Sequence, residues 1–271
     1  MVFNPIGNDL AFVWDLIAMV ISVVILLALV QINGLMQKKK IVSQIITRKF
    51  VHIFAGPIFV VTWMLFSGGV ISHYIAVIVP LLFVLQFVAI GTGLMKNESF
   101  VNSMSRSGDP RELLEGTLYY AVVMLLMTFF WFYVPSTGIG NANPTALLII
   151  GCVSGGDGLA EIIGRKFGGE KKFGIRGGEK TIIGSIGMLV GSILVSSILV
   201  LIFSLEVSNF NSNFNIATLI LPIIVVSIVA TVVEALSPKG IDNFTIFLAV
   251  IFVVLILEFG FPDFWPFPFR F

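Results

Sequence analysis

Eight apolar runs, most of them long enough to cross a bilayer, leave this chain few folds to choose from. They cover residues 11–33, 50–66, 74–95, 113–134, 145–167, 182–205, 216–236 and 244–261. A hydrocarbon core of about 30 Å takes about 20 apolar residues in a helix, and only helices or closed barrels satisfy every backbone polar group there. The runs are too long and too unalternating for barrel strands. The expectation is an all-α, polytopic integral membrane helical bundle of about eight helices, seven at the fewest and nine at the most, forming one domain over residues 1–271. Composition agrees, with 57% of residues hydrophobic and 11% charged. The first run has neither a basic leader nor a small-residue cleavage site, so it reads as a retained helix and not as a signal peptide.

The fifth run is the least regular, because Ser154-Gly155-Gly156-Asp157 interrupts it. Charge tests whether it spans, since Lys and Arg are retained on the cytoplasmic side. With the fifth run counted as a span, the segments after the first, third, fifth and seventh runs hold fifteen of the sixteen Lys and Arg; Arg270 alone falls on the other side. Without it, Lys239 and the long basic loop fall on the wrong side. Eight spans is the better count, and it places the polar motifs at the cytoplasmic face. A net charge of +1, with no basic domain outside the membrane, offers no nucleic-acid surface. Cys152 is the sole cysteine, which excludes an intrachain disulfide and a cysteine-cluster metal site. No feature specifies an oligomeric state.

The sharpest polar signal is the stretch from Gly155 to Gly168, GGDGLAEIIGRKFG. In a helix, Asp157, Glu161 and Arg165 stand at i, i+4 and i+8 and share one face, while glycines such as Gly156 admit close approach of a ligand or a second helix. Intramembrane carboxylates are costly and usually functional, the alternative being an internal ion pair that holds helices together. The loop that follows interleaves Lys171, Lys172, Arg176 and Lys180 with glycines and Glu179, and delivers Lys180-Thr181 to the next helix start. Backbone N–H groups and ammonium heads in such a loop can wrap phosphates; a solvated basic loop obeying the charge rule is the alternative. Arg48-Lys49 and His52 stand at the entrance to the second span, where a cytoplasmic anchor with an interfacial histidine is the plainer reading. Asp109-Pro110 reads as N-cap and first residue of a helical turn, which ranks Asp109 below Arg111 and Glu112 as a site residue. Glu234, Asp242 and Asn243 flank a tight reversal at the same face. The Gly187/Gly191 spacing reads as helix packing.

Oxygen ligands without a His/Cys set suit Mg²⁺, which takes a few carboxylates together with substrate phosphates. Carboxylates, cations and glycines at one interface describe a nucleotide-phosphate site. No Walker-type loop or soluble-kinase signature is present.

These residues resemble the phytol kinase and dolichol kinase group of membrane enzymes, within the wider set of polytopic CTP-using transferases. The resemblance is carried by Arg48-Lys49 with His52, by Ser105-Arg106-Ser107-Gly108-Asp109 leading to Arg111-Glu112-Leu113-Leu114 and Tyr119-Tyr120, by Gly156-Asp157-Gly158-Leu159-Ala160-Glu161 through Gly164-Arg165, by Lys180-Thr181 with Gly184-Ser185, and by Glu234 with Asp242-Asn243. One departure is Gly116-Thr117-Leu118, where the group has Gly-Pro-Leu. The resemblance implies phosphorylation of the hydroxyl of an isoprenoid alcohol (phytol, farnesol, geranylgeraniol or a dolichol-like alcohol) by a nucleoside triphosphate, typically CTP, with ATP or another nucleotide as the alternative.

On that reading Asp157, Asp242 and Glu161 hold Mg²⁺, and Glu234 or Glu179 receives the alcohol proton. Arg48, Lys49, His52, Arg111, Gly156, Arg165, Lys171, Lys172, Lys180, Thr181 and Asn243 bind the nucleotide. Two rivals use the same residues: a cytidylyltransferase acting on a phospholipid acid, and an ion- or proton-coupled transporter relaying through Asp157 and Glu161. A path across the membrane is missing for the transporter, because the polar residues gather at one face.

Overall fold

The computed structural model describes residues 4–39, 41, 44–105, 107–133, 143–175, 178–207, 214–238 and 240–267. Lys40, Arg106, Arg176, Lys239 and Arg270, which enter the sequence motifs and the charge pattern, lie outside them. Among these residues ten α-helices follow in order: α1 (Ala11–Lys38), α2 (Gln44–Thr62), α3 (Ser72–Gly91), the short α4 (Glu98–Met104), α5 (Gly116–Trp131), α6 (Thr145–Ile150), α7 (Asp157–Phe167), α8 (Ile182–Val207), α9 (Ile216–Leu236) and α10 (Asp242–Gly260). Among the described residues the only strand-like pairing is an antiparallel bridge between Phe173 and Lys180. Among the described residues eight helical stretches are long and apolar enough to cross a membrane. The chain is an all-α polytopic membrane bundle, as the hydropathy pattern predicts.

The irregular fifth run is one continuous span, Thr145–Phe167, in which α6 passes through a π-helical segment, Gly151–Gly156, into α7. A π turn widens the helix and is often found at functional sites. This span is the centre of the bundle: 78% of its apolar stretch is buried, against 33% to 44% in the other seven. Its glycines serve that burial. A Cβ on Gly155 would lie 2.4 Å from the Val195 side chain, and one on Gly191 would lie 2.4 Å from the Gly155 carbonyl, so α8 touches the span backbone to backbone. The sequence left open whether these glycines admit a ligand or a helix. They admit α8.

Around this axis the core collects Leu147, Leu148, Ile149 and Ile150 against Val123 and Met127 of α5, Phe203 of α8, and Val250 and Val254 of α10. The outward faces carry Ile17, Val20 and Val24 of α1 and Leu248 and Phe252 of α10, exposed apolar groups that lipid tolerates and water does not. At one end Phe214, Trp265 and Phe267 pack edge to face and cap the core, so the aromatic tail folds back on the bundle. Near that end Asp15 is buried in a ring of neutral donors: the Ser67 N–H at 2.7 Å, the Ser67 hydroxyl at 3.0 Å and the Ser72 hydroxyl at 2.6 Å. It pins the α2–α3 turn to α1.

Candidate active site

The starts of α2, α8 and α10 and the ends of α7 and α9 meet at the other end of the bundle. Each brings a short polar segment that sequence separation alone would keep apart. As the i, i+4 spacing predicts, Glu161 and Arg165 pair along α7, with Arg165 Nη2 at 2.9 Å from Glu161 Oε1. Lys49 reaches across from α2 and bridges the two acids of that face, its Nζ 3.2 Å from Asp157 Oδ2 and 2.7 Å from Glu161 Oε2. Arg48 approaches Glu161 at 4.0 Å. Lys49 and Asp157 are almost fully buried, so neither charge is left to solvent and each requires the other.

His52 completes this group. Its Nε2 lies 3.2 Å from Asp157 Oδ2 and 2.9 Å from the carbonyl of Val153, which belongs to the π-helical segment. Both partners are acceptors, which assigns the proton to Nε2. Tyr120 of α5 packs on the His52 ring at 4.5 Å, donates to the His52 carbonyl at 3.0 Å, and lies 2.7 Å from the Ser154 hydroxyl. A Cβ on Gly56 would lie 2.4 Å from the Tyr120 oxygen, so that glycine is what lets the tyrosine in.

A second group faces the first. Lys180, held by backbone pairing with Phe173 at the foot of α8, binds Glu234 at the end of α9 and lies 3.4 Å from Asp242 at the start of α10. Burial by itself would lower the Lys180 pKa, but the carboxylates of Asp157, Glu234 and Asp242 outweigh it and hold the pKa above the ordinary lysine value. Lys180 therefore stays charged throughout the physiological range. The field of Asp157 at Lys180 couples the two groups electrostatically. Beside them, Thr181 accepts from the Gly184 N–H at 3.0 Å, and Asn243 donates to the Gly116 carbonyl at 3.0 Å, tying α10 to α5. Among the described residues Asn243 Oδ1 and Ser185 Oγ are buried without a hydrogen-bond partner, an arrangement that calls for an explanation such as a bound ligand.

Both groups line one cavity of about 1060 Å³. All but three of the site residues named from the sequence are on its wall: Arg48, Lys49, His52, Asp157, Glu161, Arg165, Lys172, Glu179, Lys180, Thr181, Glu234, Asp242 and Asn243. Lys172 and Glu179 pair at 2.6 Å on its exposed rim. The three others lie apart. Gly156 turns toward α8, where a Cβ would lie 2.2 Å from Ser192 Oγ. Arg111 is exposed in the turn Pro110–Leu114, which Asp109 caps by accepting from the Arg111 N–H at 2.9 Å. Lys171 is exposed on the loop before α8. The residue-by-residue reading did not single out Ser154 or Glu115, and Tyr120 entered through the resemblance alone. Nor does it tell which helices form the apolar wall onto which the cavity continues past Tyr120, namely α1, α3 and α5. No group of three His, Cys, Asp or Glu side chains gathers as a metal cage among the described residues.

The chain is similar to a probable phytol kinase 2, chloroplastic, of Oryza sativa subsp. japonica, at 37% identity over 67% of this chain and 57% of the relative. It is 34% identical to phytol kinase 1, chloroplastic, of Arabidopsis thaliana over 83% of this chain and 70% of the relative. It is 35% identical to farnesol kinase, chloroplastic, of the same plant, over 79% of this chain and 66% of the relative. The chain thus spans between 57% and 70% of the length of these curated relatives. No family model and no solved structure matches it. At these identities, over most of its length, the chain belongs to the phytol kinase family.

Proposed function

We propose that this protein is a membrane kinase that transfers the γ-phosphoryl group of a nucleoside triphosphate, CTP in the first instance, to the hydroxyl of an isoprenoid alcohol such as phytol, farnesol, geranylgeraniol or a dolichol-like alcohol. The observation that carries this reading is a single cavity with two cation–carboxylate groups at one end and an apolar wall at the other. The names of the relatives in plants point the same way. Phosphoryl transfer asks little covalent chemistry of a protein; it asks for in-line positioning and charge neutralisation. Lys49 and Lys180, with Arg48, Arg165 and Lys172 nearer the rim, supply the cations for the triphosphate.

The alcohol oxygen attacks the γ-phosphorus, the bond to the β–γ bridging oxygen breaks, and the nucleoside diphosphate leaves. The hydroxyl proton passes to a carboxylate. Glu234 suits this better than Glu179, because Glu234 is buried next to Lys180, whereas Glu179 is exposed on the rim and paired with Lys172. On the cavity wall beside Lys180, Glu234 is placed to accept it. Mg²⁺ fits the donor set: it keeps several waters and takes one or two protein carboxylates plus phosphates, so the lack of a three-acid cage is no obstacle, and Asp157 and Asp242, with Glu161 behind, would hold it. When bound it neutralises triphosphate charge. The charge pattern of the loops supports a cavity that opens on the cytoplasmic face.

Purified protein in detergent, given Mg²⁺, a prenyl alcohol and CTP labelled at the γ-phosphate, tests the reaction. Label is expected in a prenyl monophosphate, with ATP run in parallel to fix the donor. Transfer of α-label with release of pyrophosphate would overturn the kinase in favour of a cytidylyltransferase.

A further inference from the structure

The apolar arm of the cavity is larger than phosphate chemistry needs, and its position says what fills it. Beyond Tyr120 the wall is made by Leu26 of α1, Pro80, Phe83 and Phe87 of α3, and Ala121 and Met124 of α5. Leu26, Phe87, Ala121 and Met124 are buried in the bundle and do not face the lipid. From Phe87 to Pro80 the wall follows α3 for seven residues, about 10 Å at 1.5 Å per residue, a third of a hydrocarbon core of about 30 Å. It begins beside the carboxylates and cations and reaches Leu26 and Pro80, both buried.

We infer that this arm is a slot for the hydroxyl-bearing end of the prenyl chain, and that Leu26, Phe83 and Met124 set how much chain the enzyme accepts. The inference rests on the kinase reading above. Its occupant follows from continuity: a group entering the arm has one end at the phosphoryl-transfer residues and the rest against aliphatic and aromatic side chains only. A nucleotide base would leave its polar edge unpaired there, whereas a methyl-branched hydrocarbon leaves nothing unpaired. A short slot reads the units next to the hydroxyl. Side chains at its far end decide whether the units that follow can enter. Ala121 is the one small side chain among the six, so space beside α5 depends on it.

The test compares kcat/KM for geraniol, farnesol and geranylgeraniol in the full protein. Leu26→Ala and Phe83→Ala are expected to raise the geranylgeraniol-to-geraniol ratio by about tenfold, the lower range for one hydrocarbon group gained or lost in an apolar pocket. Ala121→Leu, which fills the slot, is expected to move the ratio the opposite way. Ratios within twofold of the parent in all three variants, with phosphorylation intact, would overturn the slot. Photolabelling of the unaltered protein by a diazirine-bearing farnesol analogue provides a readout independent of turnover and of how well the variants fold. Label on α1, α3 and α5 supports the slot, and label confined to lipid-facing positions of α8 or α9 overturns it. Label in the slot of a protein that phosphorylates no alcohol would defeat the kinase reading while leaving the slot in place.

Discussion

Two buried aspartates stand near opposite ends of this bundle, and their partners differ in kind. Asp15 is enclosed by one backbone N–H and two serine hydroxyls, all neutral. Asp157 is held by Lys49 and His52, under the field of Lys180, and lies on the wall of the cavity. A carboxylate satisfied by fixed neutral donors is a structural joint, since its partners belong to the turn it pins. One satisfied by lysines on a cavity wall can exchange those partners for phosphate oxygens and a cation of the ligand, because the lysines serve either acid or phosphate. Burial of charge alone does not mark an active site. Burial against charges that a ligand can take over does.

The largest effect that would break this comparison is at Asp157. Asp157→Asn keeps the shape and removes the charge, and is expected to lower kcat by about a thousandfold or more, the scale of losing one preorganised electrostatic group. Its melting temperature in detergent is expected to fall, because buried Lys49 keeps only Glu161 of its two acids, so kcat is compared per folded molecule. Turnover near normal would remove Asp157 from the site. Lys180→Met should cost a similar factor, and since the Lys180 pKa is raised, its positive charge is present below the ordinary lysine value of about 10.4 and lost only above the raised value. A pH–rate profile that falls between pH 7 and 9 in the parent would therefore report another group.

Asp15 should behave in the reverse manner. Asp15→Ala leaves the Ser67 N–H and two hydroxyls without their acceptor, at a cost of about 1–3 kcal/mol for each buried donor left unpaired. The expected outcome is a lower melting temperature and a kcat per folded molecule close to the parent. A hundredfold loss of kcat at an unchanged melting temperature would erase the distinction between the two ends.

The comparison also shows what the sequence discloses. The spans and their number were legible because a bilayer leaves the backbone almost no alternative to helices of a fixed length. The acids and cations of the site were legible as types, since charges within or beside apolar runs have few explanations. Their pairing was not, because Lys49 and Asp157 are 108 positions apart and Lys180 and Glu234 are 54 apart. Gly156 is ambiguous for a related reason: a glycine that admits a ligand and one that admits a helix look alike in a sequence, and here Ser192 and Met188 of α8 lie against it. The role of Asp15 is not legible, because its serines lie 52 and 57 positions away in an unremarkable turn. The position of the apolar slot was not legible, since Leu26 and Phe83 sit in runs where most positions are apolar and lipid-facing and slot-facing residues share one alphabet.

The smallest effects belong to two neighbours on the loop before α8. Lys171 and Lys172 look interchangeable in the sequence, yet Lys172 is on the cavity wall and pairs with Glu179, while Lys171 is exposed and is not on the wall. Lys172→Ala is expected to raise the nucleotide KM by about fivefold at low salt and to leave kcat nearly intact, because a half-exposed cation contributes through a screened field. Lys171→Ala and Arg111→Ala should stay within about twofold of the parent, as exposed charges away from the wall. Raising the ionic strength should shrink the Lys172 effect and leave the Asp157 effect standing, since a group sealed against its partners is screened far less than one on the rim. Equal KM changes at Lys171 and Lys172 would mean that the loop acts on the nucleotide as a diffuse basic patch, and that only the buried groups beneath it form a site of fixed geometry.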